Sequence, residues 1–64
     1  MKKIIFEQIT KVRNTGKTNM FDVNAVMRIA FDNNWFELAD WLSDRNNCKE
    51  YTELIFSGKP KLED

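Results

Sequence analysis

The amino-acid sequence predicts an all-α fold, a compact domain of four short helices. Three observations carry this. Apolar residues recur at spacings of three and four; no alternating apolar and polar run is long enough for a strand; and Asn14-Thr15-Gly16, Asn33-Asn34, Asn46-Asn47 and Gly58 with Pro60 punctuate the chain into segments of helical length.

At about 100° per residue, Ile5, Ile9 and Val12 share one face of a first helix, flanked by Ile4 and Phe6, while Lys3, Glu7 and Lys11 form the opposite, solvated strip. Gly16 accepts the left-handed backbone that follows a helix end, so this helix is expected over 2–14. Asp22 is suited to cap a second helix over 22–32, with Phe21 stapled against Val26; Asn19, with Asp22 three residues on, is the alternative start. From Val23 to Phe31 the apolar residues point nearly all round, and only Asn24, Arg28 and Asp32, at i, i+4 and i+8, make a narrow polar stripe, a pattern expected of a central helix. Asn34 and Asn47 each stand three residues before a Glu, Glu37 and Glu50, and resemble capping boxes for helices over 35–44 and 48–57. The third gathers Trp35, Leu38, Ala39 and Leu42, and the fourth Cys48, Tyr51, Leu54 and Ile55. A single helical domain is therefore expected over 1–58, followed by a loose, flexible tail at 59–64.

Sixty-four residues make one domain. A chain of this length buries only about 60% of the surface its unfolded form exposes, which leaves little room for a deep substrate cavity. With no His and one Cys, neither a structural nor a catalytic zinc centre is expected, and Cys48 has no histidine to activate it as a nucleophile. Gly16 and Gly58 are too far apart to form a phosphate-cradling loop. The reading is a non-enzymatic protein with no cofactor, no metal and no catalytic residues. The absence of a disulfide partner for Cys48 and of an export signal after Lys2-Lys3-Ile4-Ile5-Phe6 points to the cytoplasm. Apolar runs reach three residues, against roughly 18 for a membrane span.

The formal net charge of zero hides a split. Residues 1–17 carry Lys2, Lys3, Lys11, Arg13 and Lys17 against Glu7 alone, and acidic residues dominate the rest. These five cations are the expected phosphate contacts if the protein touches nucleic acid. The Asn33-Asn34 joint invites a helix-turn-helix reading, but the would-be recognition helix carries Glu37, Asp40 and Asp44 and no Lys or Arg before Arg45, so direct binding to DNA is disfavoured.

The third helix is instead aromatic, with Trp35, Phe36 and Trp41. Trp41 and Phe36 lie on opposite sides of the Trp35, Leu38 and Leu42 face, so one core does not take all three, and one of the two is expected to be partly exposed. Exposed aromatics and Arg mark interface hot spots. The expected partner-binding surface is Phe36, Glu37, Asp40, Trp41, Asp44 and Arg45; the alternative is that both aromatics are simply core.

The stretch Gly16-Lys17-Thr18-Asn19-Met20-Phe21-Asp22-Val23-Asn24-Ala25-Val26, followed by Arg28-Ile29-Ala30-Phe31, resembles the signature of a small phage and prophage family of Gram-positive bacteria known only as a domain of unknown function. The resemblance extends through the opening helix, Phe36-Glu37-Leu38 and Lys49-Glu50-Tyr51, to about Gly58. It implies a setting and no chemistry. Short phage proteins without enzymatic equipment often block a host protein, so the resemblance implies an inhibitor of a bacterial host protein, anti-defence in role and anti-CRISPR as the concrete expectation. The alternatives are a small nucleic-acid-associated regulator working through the basic first helix, and a homodimeric structural or assembly protein. Either a monomer or a homodimer fits the sequence.

Overall fold

The Ile5, Ile9 and Val12 stripe is buried along α1 (Lys3–Thr15), joined by Gln8. Residues 1–63 are described in the computed structural model of the protein, and Asp64, the end of the expected tail, lies outside them. Three further helices follow: α2 (Val23–Asp32), α3 (Phe36–Ser43) and α4 (Arg45–Ser57). No strand occurs among the described residues, so the fold is all-α with four helices.

Gly16 ends α1 at φ 65°, and its N–H donates to the Arg13 carbonyl at 3.2 Å. Asp22 caps α2 by accepting the Ala25 N–H at 3.2 Å. Asn19 does not start the helix; it accepts the Phe21 N–H at 2.9 Å and so shapes the turn before it. Phe21, expected to staple onto Val26, is 54% exposed while Val26 is fully buried.

Neither Asn34 nor Asn47 caps a helix. Asn34 sits at φ 63° and closes α2 instead. Its N–H reaches the Phe31 carbonyl at 3.1 Å and the Trp35 N–H reaches the Ala30 carbonyl at 2.8 Å, the paired bonds of a Schellman ending. Asn tolerates the left-handed region because its short side chain bonds locally, and that backbone role excludes the extended geometry of an N-cap. In the fourth helix Asp44 is the cap, accepting the Asn46 N–H at 3.0 Å, so the helix begins at Arg45 and not at Cys48. Asn46 and Asn47, expected as a connection, are inside it. The Asn47 amide turns back and donates to the Trp41 carbonyl at 2.9 Å, satisfying an open acceptor at the end of α3. Asp44 alone links the two helices, with φ −88° and ψ 116°.

The central helix is α3, not α2. It packs against α1, α2 and α4, and buries Leu38, Ala39 and Leu42 between them. Only Val26 and Ala30 of α2 are buried, and Phe31 stays 63% exposed. An all-round apolar pattern reports how much surface a helix must cover, whereas centrality depends on which helices surround it. The core is completed by Tyr51 and Leu54 of α4 and by Met1, whose side chain joins the cluster ahead of the first helix. Residues 59–63 form no helix, and they meet Met1: the N-terminal ammonium donates to the Lys61 carbonyl at 2.7 Å and the Glu63 N–H donates to the Met1 carbonyl at 3.0 Å.

Candidate functional site

Because α3 turns Leu38, Ala39 and Leu42 into the core, its opposite face is left to solvent. Glu37, Asp40 and Asp44, at i, i+3 and i+7, are all exposed in one row. The row borders a groove of about 610 Å³ walled by the start of α1 through Lys2 and Ile4, and by Trp41 and Glu63. Trp41 is half-buried, so part of its ring packs on the core and part faces the groove. Four of the six expected partner-binding residues, Glu37, Asp40, Trp41 and Asp44, therefore converge on one concave surface.

The other two lie elsewhere. Phe36, at the first turn of α3, is 49% exposed and meets the Phe31 ring edge-on, with centroids 5.5 Å apart and planes at 71°. Edge-to-face contact is a favourable aromatic arrangement, and here it holds two exposed rings together across the α2–α3 corner. Arg45 is exposed at the first position of α4 and does not line the groove. Of the two aromatics in question, Phe36 is thus the exposed one and Trp41 the half-buried one.

Glu37 is set by a residue that periodicity alone passes over. Gln8 stands on the buried face of α1, where its carbonyl accepts the Leu38 N–H at 2.8 Å and its amide donates to the Glu37 carboxylate at 2.7 Å. Trp35 supplies no side-chain cap, so α3 is capped from another helix. The Gln8 hydrogen bond, with a backbone bond at Glu37 itself, holds the Glu37 carboxyl below its ordinary value. A polar residue within the Ile5, Ile9, Val12 stripe was the available signal. Phe31, Ile4 and Glu63 carried no comparable signal, since their place at the site depends on packing between distant segments.

The five cations of residues 1–17 are all exposed, but they do not form one surface. Lys2 stands at the acidic groove. The Lys11 ammonium lies 5.9 Å from the centroid of the Trp35 ring. Arg13 lines a separate cavity of about 170 Å³ with Met20 and Leu54. Lys3 is on the first turn, and Lys17 lies beyond the Gly16 end of α1. Cys48 is half-buried in α4, with its sulfur 3.6 Å from the Leu42 carbonyl. Among the described residues no group of three or more His, Cys, Asp or Glu is placed to hold a metal ion, and no helix is long and apolar enough to cross a membrane.

Fold and groove together define a small all-α protein whose central helix presents a row of carboxylates beside an exposed aromatic pair. The chain belongs to the DUF5049 family, a domain of unknown function whose model matches residues 1–59. No curated protein and no solved structure matches it.

Proposed function

We propose that this protein is a non-enzymatic phage or prophage protein that acts in the cytoplasm of a Gram-positive host by binding a bacterial protein and inhibiting it. Its role is anti-defence, and the target we favour is a CRISPR effector. The supporting observation is the meeting of Glu37, Asp40, Asp44 and Trp41 on one groove, with the exposed Phe31 and Phe36 rings paired at the α2–α3 corner. Carboxylates in a row select a basic surface and speed its capture, while aromatic rings supply the desolvated contact that slows release. A nucleic-acid channel of a host enzyme is such a basic surface. The nucleic-acid regulator is the weaker reading, because Lys2, Lys11 and Arg13 stand at three different features of the surface.

The test is phage plating on a CRISPR-immune Gram-positive host that expresses the protein, beside the same host expressing Asp40→Lys or Phe36→Ala. Both side chains are exposed, so circular dichroism should show intact folds. The expected outcome is restored plating with the natural sequence, loss of that effect with either variant, and one host protein retained by the natural sequence alone on an affinity matrix. Plating that stays blocked removes the anti-CRISPR role, and a matrix that retains no host protein removes the inhibitor reading. Recovery of nucleic acid that salt releases, and that Lys11→Glu with Lys17→Glu abolishes, would put the regulator in its place.

A further inference from the structure

The acidic groove has a neighbour of opposite character. A second groove, of about 550 Å³, runs between the outer face of α4 and the chain that follows it. Leu54 and the Met1 side chain contribute its apolar floor, and Phe56, 85% exposed, stands at its wall. Its rim carries Lys49, Lys59 and Lys61 against Glu53, because the Glu50 carboxylate is already engaged by the N-terminal ammonium at 2.9 Å. The two grooves share Met1 as a common border, and the 61–63 segment lies at both: Lys61 at the basic groove and Glu63 at the acidic one.

We propose that these two adjoining grooves form a self-complementary surface whose partner is a second copy of this chain, joined about a two-fold axis near Met1. A two-fold rotation brings residue i of one copy onto residue j of the other and j onto i. Patches of opposite sign side by side are therefore matched twice, with the Lys49, Lys59 and Lys61 rim of each copy meeting the Glu37, Asp40 and Asp44 row of the other. The apolar side chains left exposed at the two grooves, Phe56 at the basic one and Ile4 at the acidic one, are covered in the same step. Closure in pairs follows from this adjacency; the same patches on opposite ends of the molecule would have built open chains. The zero formal charge of the whole chain removes the long-range repulsion that would oppose the pairing. The dimer covers the acidic groove, so it competes with any other partner for that surface, and it stands or falls separately from the inhibitor reading because its test contains this protein alone.

The experiment is sedimentation equilibrium of the purified protein at low and high salt, with two charge-reversed variants. Asp40→Lys reverses the acidic side; Lys59→Glu with Lys61→Glu reverses the basic side. All three side chains are exposed and none is part of the core, so circular dichroism should show the same fold. The natural sequence should double in mass with rising concentration, and salt should oppose this. Each variant alone should remain a monomer. An equal mixture of the two should dimerise again, because one half of the mixed interface is natural and the other half is reversed on both sides. Phe56→Ala should weaken the dimer without touching any charge. A natural sequence that remains monomeric at high micromolar concentration overturns the proposal, as does a dimer that both charge variants leave intact, or a mixture that fails to recover.

Discussion

Gln8 shows how much one side chain sets at this site. It is a buried polar residue whose two amide atoms are both used, one to close the open N-terminus of α3 and one to hold Glu37 at the groove. Gln8→Ala leaves the Leu38 N–H buried without a partner, which costs about 1–3 kcal/mol, a large share of what so small a domain has. Urea unfolding at neutral pH should show this loss. The acid limb gives a second readout. Glu37 has its folded pKa lowered from 4.5, so the stabilisation it contributes is present above that value and is lost as pH falls through the lower folded pKa. Gln8 is the main cause of the shift, so Gln8→Ala should flatten that part of the stability profile below pH 4.5. An unchanged acid limb in Gln8→Ala would show that Glu37 is not held by this contact.

At the scale of elements, the informative residues are the asparagines and the aspartate between helices. The sequence shows correctly that Asn33-Asn34 separates two helices, but the role expected of Asn34, a cap for the third helix, is not the one it has. The pattern of an Asn three residues before a Glu fits a cap, but so does any Asn in a helical neighbourhood, and the φ of 63° at Asn34 is a property of the folded corner. At the next joint the one-residue link places Asp44 ahead of Asn47, and whichever polar residue first reaches the free N–H groups becomes the cap. Asp44→Ala should therefore lower stability by about 0.5–2 kcal/mol, and Asn47→Ala should act only through its bond to the Trp41 carbonyl. Asn34→Gly should be neutral or slightly stabilising, whereas Asn34→Ala, with its Cβ in the left-handed region, should cost about 1 kcal/mol. Denaturant midpoints of the four variants check the order; an Asn47→Ala loss with no Asp44→Ala loss would restore the original capping assignment.

At the scale of the whole molecule, Tyr51 ties together segments distant in the chain. Its ring is fully buried, and its hydroxyl donates to the Met20 carbonyl at 2.6 Å, fastening the segment between α1 and α2 onto α4. Burial pushes its pKa up from 10.0 to about 12. The folded value lies above the unfolded one, so this contribution is fully present below pH 10 and is lost as pH rises through about 12. Tyr51→Phe keeps the ring and removes the hydroxyl, so the part-buried bond to the Met20 carbonyl is lost, at a cost of about 0.5–1.5 kcal/mol. It should also abolish the tyrosine part of the alkaline transition, which thermal unfolding between pH 9 and 12 would read; the same alkaline loss in Tyr51→Phe would assign it to other groups.

The sequence by itself determined the helical class, the two glycine endings at Gly16 and Gly58, the Asp22 cap and most of the buried stripe, because each follows from spacing and backbone preference within a few residues. It also grouped Glu37, Asp40, Trp41 and Asp44, since a helix of known period places them whatever surrounds it. Only the tertiary structure decided that α3 is the central helix, that Phe36 and not Trp41 is the exposed ring, that Gln8 caps α3 from another helix, and that Met1 belongs to the core. These depend on contacts between residues far apart in the chain, and local propensity carries no information about which helix a given face will meet.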